Sequence, residues 1–118
     1  MPTEQAHSIQ ALHNEHFVTS LGLDSTSYLD WVVTGAFYTA VHLIEKFLAR
    51  HGSHPESHQH RCNAMSRIEP LKSVFEDYRD LYTESERCRY RCRMPQRNHV
   101  RTSILPKLGS IRSTIDQL

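Results

Sequence analysis

YLDWVVTGAFYTAVHLIEKFLAR, from Tyr28 to Arg50, decides the fold of this chain. At a helical period, Trp31, Val32, Gly35, Ala36, Tyr38, Thr39, Val41, His42, Leu43, Phe47 and Leu48 leave only a narrow polar strip of Asp30, Thr34, Glu45 and Lys46. No proline breaks the stretch and nearly every face asks for a neighbour, so it reads as the central helix of a bundle. Asp24, Ser25 and Thr26 offer caps ahead of it, and Asp30 complements the dipole of its first turn. Arg50, His51 and Gly52 supply a basic last turn and a glycine stop.

Upstream, Ala6, Ile9, Leu12, His13, Phe17 and Leu21 recur at helical spacing between Thr3 and Leu21, and Gly22 ends that run. Downstream, HGSHPESHQHR (His51 to Arg61) is a polar connector, with a short helix beginning near Ser57 and carrying Met65 and Ile68 as apolar contacts. Pro70 sits at an N1-like position of a long helix that runs to Cys92, with a stripe of Leu71, Val74, Phe75, Tyr78, Leu81, Tyr82 and Ser85. Met94, Pro95 and Gln96 break it. A last helix capped by Asn98 carries Val100, Ile104, Leu108, Ile111, Ile115 and Leu118, with Pro106 as a kink or a mildly displaced start. Strand-like alternation and internal repeats are absent. The reading is all-α, a single domain over residues 1–118 with four principal helices and a short one.

The chain has 118 residues, enough for one core. Its net charge of +1 carries no global signal for nucleic acid or membrane. Charge is concentrated instead: Arg87, Arg89, Arg91, Arg93, Arg97 and Arg101 fall in a stretch without an acid. Three cysteines, Cys62, Cys88 and Cys92, and an N-terminal MPTEQAHSIQ without an apolar core point to reduced thiols and a cytoplasmic protein. A membrane span, needing roughly 20 apolar residues, is not expected.

The arginine run with Tyr90 inside it is the main functional clue. In a helix from Ser85 to Arg93, Arg89 and Arg93 share one face and Arg87 and Arg91 another. Phosphates would relieve their repulsion, and Tyr90 could stack on an unpaired base. The structural counterpart is pairing with Asp77, Asp80, Glu84 and Glu86. His54, His58, His60 and Cys62 in the connector, with Cys88 and Cys92, raise a transition-metal alternative. The length of the intervening helix separates the two groups, so no metal site or cofactor is assigned. His42 reads as a core histidine bonded to a tyrosine or a backbone carbonyl.

Phe37-Tyr38 with His42, the His54/Ser57/His58/Arg61 connector, and Arg89-Tyr90 in LYTESERCRY resemble the HEPN superfamily of small bacterial and archaeal proteins. The similarity covers about Asn14 to Ile115. It implies an up-and-down bundle of four to five helices that commonly dimerises. It also implies a metal-independent endoribonuclease of a toxin–antitoxin or defence system, held in check by a nucleotidyltransferase-like antitoxin. The alternative that the resemblance allows is a non-catalytic assembly module within a larger complex.

The family's catalytic pattern is an arginine followed a few residues later by a histidine. Five residues separate Arg93 from His99 here, a degenerate version in which Met94 replaces a polar neighbour and Pro95 interrupts the helix. In that reading Arg93 grips the scissile phosphate, His99 is the acid/base, and Arg61, Arg89 and Tyr90 hold the RNA.

Overall fold

Thr3 starts the first helix, α1 (Glu4–Leu21): its hydroxyl accepts from the Ala6 N–H at 3.1 Å, and Gly22 ends it in the left-handed region at φ 69°. The structure is a computed structural model that describes residues 1–118. The central helix α2 (Leu29–Arg50) is entered through a turn in which the Tyr28 N–H donates to Thr26 Oγ1. Then follow α3 (His58–Arg67), capped by the Ser57 hydroxyl, the single turn α4 (Glu69–Lys72), and α5 (Phe75–Tyr90). The C-terminal run consists of a short turn α6 (Arg97–His99), a π-helical turn over Val100–Ile104, and α7 (Leu105–Asp116). The chain is therefore an all-α globule of about six helices, with the C-terminal run counted as one, and without strands.

α2 is the centre that its sequence predicts. Val33, Ala36, Ala40, Leu43, Ile44 and Leu48 are fully buried, and α1, α5 and α7 all pack on it. Its buried threonines are satisfied locally, Thr34 Oγ1 donating to the Asp30 carbonyl and Thr39 Oγ1 to the Gly35 carbonyl. α2 also has the length and apolarity of a spanning helix, although 72% of its most apolar window lies inside the globule. Gly35 is where α1 comes closest: a Cβ there would stand 2.7 Å from Val18 Cγ2 and 3.2 Å from Phe17 Cδ2.

Three sequence expectations need correction. The face of α1 is not the one its apolar spacing suggests: His7, Ala11 and Val18 are buried, whereas Ile9 is 63% and Leu12 52% exposed. Polar pairs on the inner side, His7 with His42 and Arg112 with Glu15, set the rotation of α1 instead. The helix expected from Pro70 to Cys92 is interrupted at Ser73–Val74 and stops at Tyr90. The last helix has Gln96 at its N-cap, without a side-chain bond, rather than Asn98. Pro106 falls in the first turn of α7, the displaced start that the sequence allows. Proline lacks the N–H that would reach Thr102 and its ring crowds that carbonyl. The preceding turn widens, and the Leu105 N–H reaches back five residues to Val100 O.

Candidate functional site

Two polar regions stand on opposite flanks of α5. The first is a half-buried junction where α1, α2, α3 and α5 meet. Glu45 and His42 are one turn apart on α2, and His58 and Arg61 one turn apart on α3, so each pair projects from one side of its helix. Arg61 Nη2 and Nε donate to Glu45 Oε1 at 2.6 and 3.1 Å, and Nη1 donates to Tyr78 Oη at 3.2 Å. Tyr78 Oη also lies 3.1 Å from His58 Nδ1, and the His58 ring stacks on Tyr82 with centroids 3.5 Å apart. At the α1 end, His7 Nδ1 is 3.0 Å from His42 Nδ1 and 3.5 Å from Glu45 Oε2.

Burial governs protonation here. It lowers the pKa of His7, His42 and His58, helped for His58 by the charges of Arg61, Arg89 and Arg79, so all three imidazoles favour the neutral form. Burial also pushes the Tyr78 phenol up to about 12. For Arg61 burial opposes the charge but is outweighed by Tyr78 and Glu45, leaving the guanidinium more firmly protonated than usual. The Arg61 and Glu45 side chains are only 11% and 13% exposed, so this is a desolvated pair with its donors engaged. Arg61, expected to hold RNA, points inward.

The second region is a surface cleft of about 340 Å³ at the C-terminal end of α5, lined by Glu84, Arg87, Cys88, Arg93, Met94, Pro95, Gln96 and His99. A backbone reversal builds it. After the helix stops, Cys92 adopts φ 53°, an unusual left-handed conformation for a residue with a side chain, and the Arg93 N–H returns to the Arg87 carbonyl at 3.3 Å. Arg97 then anchors the connection by donating to the carbonyls of Leu23 and Thr26. The reversal brings Arg93 and His99 to one cleft, and it also separates Arg93 from the face it would share with Arg89 in a continuous helix.

Glu84 organises the cleft. Its Oε1 lies 3.4 Å from His99 Nε2 and 3.6 Å from Arg87 Nη1. Of the three basic side chains in the cleft only Arg93 has no carboxylate partner. Cys88 is no nucleophile here, because burial, Asp30 and Glu84 push its thiol up to about 11.

Arg89 and Tyr90 lie between the two regions. The Arg89 guanidinium donates to Ser85 Oγ and Tyr38 Oη, each at 3.2 Å, and sits 5.0 Å from the Tyr90 ring centroid. Tyr90 is 72% exposed and Arg89 is anchored, so the pair presents a braced aromatic surface. Among the surrounding arginines, Arg91 pairs with Glu86 and Arg101 with Asp24.

Sequence reasoning missed His7 and Glu45 as functional neighbours, whereas Glu84 and Glu86 pair with Arg87 and Arg91 as the structural reading of the arginine run expects. For Glu45 a signal existed, since His42 and Glu45 are spaced to share a helix face. For His7 none did, because its partner comes from another helix. His42 was expected to bond a tyrosine or backbone carbonyl; it meets another imidazole instead. Compared with family models, with curated proteins and with solved structures, the chain finds no match in any of the three.

Proposed function

We propose that this protein is a HEPN-like up-and-down bundle, cytoplasmic and dimeric, that binds single-stranded RNA at the cleft beside α5 and cuts it without a metal. One observation carries the reading: Arg93, with no protein partner of its own, lines the same cleft as His99, whose imidazole faces Glu84. A guanidinium in that state can hold a phosphodiester through two parallel hydrogen bonds. His99 takes the proton of the ribose 2′-hydroxyl as its oxygen attacks phosphorus, then gives that proton to the departing 5′-oxygen. The products are a 2′,3′-cyclic phosphate and a free 5′-hydroxyl. Glu84 orients the imidazole and stabilises its charged form between the two transfers. Arg87 adds charge, and Tyr90, braced by Arg89, offers a stacking face to a neighbouring base. Arg61 serves indirectly, by holding α3 to α2 and α5.

A dimer through the outer face of α1, where Ile9 and Leu12 are exposed, would leave both clefts open. A nucleotidyltransferase-like antitoxin, in a toxin–antitoxin or defence setting, fits the same reading as the partner that covers the clefts.

The test is cleavage of single-stranded RNA in EDTA. The wild type cleaves; Arg93→Ala and His99→Ala each lower the rate by about a hundred-fold or more while keeping the fold. Full activity in both variants removes these residues from the site.

A second reading, a non-catalytic assembly module that binds a protein partner, is favoured by a groove of about 360 Å³ between α1 and α2 with Phe17, Trp31 and Tyr38 on its walls. Absence of both cleavage and salt-sensitive RNA binding in a clean preparation would select it.

A further inference from the structure

The junction of α1 and α2 brings three potential ligand groups together, more than a single hydrogen bond between two of them requires. His7 Nδ1 and His42 Nδ1 lie 3.0 Å apart, Glu45 Oε2 lies 3.5 Å from His7 Nδ1, and one ligand atom from each of the three residues falls within 4.8 Å of the others. A hydrogen bond between the two imidazoles accounts for the first distance alone. It does not account for a carboxylate oxygen directed at the same point. We propose that His7, His42 and Glu45 form a three-ligand site for a divalent transition metal of the zinc type.

The two separations that involve His7 fit that chemistry. Ligands at the usual zinc distances, arranged tetrahedrally, place their donor atoms about 3.3 Å apart, and the two observed separations fall on either side of that value. Two imidazoles and one carboxylate are a donor set of catalytic zinc sites, which keep a fourth position open. Burial keeps both imidazoles neutral, the form that ligates. The other oxygen of Glu45 is held by Arg61, which is itself fixed by Tyr78, so the carboxylate is oriented from outside the ligand set.

His7 is buried, and His42 lines the groove of Phe17, Trp31 and Tyr38, so one ligand residue borders a surface concavity. The ion would tie α1 to α2 where the backbones are not joined by any turn. It would displace the Nδ1 proton that lies between the two imidazoles, and the ring that carried it would keep its proton on Nε2, so the neutral rings ligate without net proton release. This site is separate from the cleft at Arg93 and His99, whose proposed chemistry uses no metal, so each can fail without the other.

The experiment is titration of the full chain, stripped with EDTA and dialysed, with Co²⁺ followed by competition with Zn²⁺. The expected result is one equivalent bound, with the visible bands of a low-coordinate cobalt site that Zn²⁺ abolishes, and a melting temperature raised by Zn²⁺. His42→Ala and Glu45→Gln should each lose more than about a hundred-fold in affinity. Arg61→Gln, removing only the outer support, should lose about ten- to a hundred-fold. Cys62→Ser should bind as the wild type does, although Cys62 Sγ lies 3.5 Å from His58 Nε2 and is the competing ligand pair. His42→Gln, checked for fold by circular dichroism, guards against misfolding of the alanine variant and should also lose the ion. Three results would overturn the site: no stoichiometric uptake by the folded wild type, unchanged uptake in folded His42→Gln, or uptake abolished by Cys62→Ser.

Discussion

The junction around Arg61 and the cleft around Arg93 both contain an arginine, a histidine and a glutamate, yet they are in opposite physical states. In the junction the guanidinium is enclosed, both its Glu45 and Tyr78 bonds are made, and the neighbouring His58 is stacked and kept neutral. In the cleft one carboxylate, Glu84, serves Arg87 and His99 at longer distances, and Arg93 has none. The same residue types therefore do different work. Where the bonds are saturated and water is excluded, the charges hold helices together. Where one charge is left over at a solvent-filled concavity, it can bind an outside anion.

The largest effect that would break or support this contrast is expected from Glu45→Ala. It strands the Arg61 guanidinium in a poorly solvated place and should cost about 3 kcal/mol of stability, read by urea denaturation. Arg93→Ala should change stability by less than about 0.5 kcal/mol, since no partner is lost. A comparable loss in both variants would abolish the distinction.

An intermediate effect concerns acid. His58 faces Tyr78, Cys62 and Arg61, with Tyr82, Glu86, Arg79 and Arg89 on α5 acting on it, and its folded pKa lies below the ordinary 6.5. The unfolded chain therefore binds a proton first as pH falls. Stability that is fully present above pH 6.5 should be lost progressively below it, down to the folded pKa, and then level off. Melting temperatures across this range, in metal-free buffer, should decline for the wild type and decline less for His58→Phe. An equal decline in both would place the acid sensitivity elsewhere.

The smallest effect belongs to the cleft's backbone. Cys92→Gly relieves a left-handed φ of 53° and should change stability by about 1 kcal/mol or less, with the sign favouring the variant, and leave the cleft in place. A marked destabilisation would show that the Cys92 side chain, not the turn, holds the reversal.

Much of the fold was legible because α2 states it: a long stretch with one polar strip can only be a helix surrounded by others. The helix starts near Thr3 and Ser57 and the stop at Gly22 were readable for similarly local reasons. The face of α1 was not, because Ile9, Leu12 and Phe17 make a plausible stripe and the decision rests on His7 meeting His42 and on the close approach at Gly35. The π-helical turn before Pro106 and the end of α5 at Tyr90 depend on how the last helix is docked. That docking involves Arg97 and the carbonyls of a loop more than 70 residues earlier. For the candidate site, Arg93 and His99 were suggested by the catalytic pattern that the family resemblance implies, and both line one cleft. Its geometric basis, a chain reversal at a cysteine with positive φ, has no sequence signature. The inward engagement of Arg61 was hidden because Glu45 and Tyr78 lie on other helices.

The most direct measurement of the central claim is the initial rate of single-stranded RNA cleavage in EDTA for the wild type, Arg93→Ala, His99→Ala and Arg61→Gln, each assayed at a temperature where it is folded. The account predicts that the first two variants lose about a hundred-fold or more and that Arg61→Gln stays within a few-fold of the wild type. Loss confined to Arg61→Gln, with Arg93→Ala and His99→Ala fully active, would contradict it and move the site to the junction.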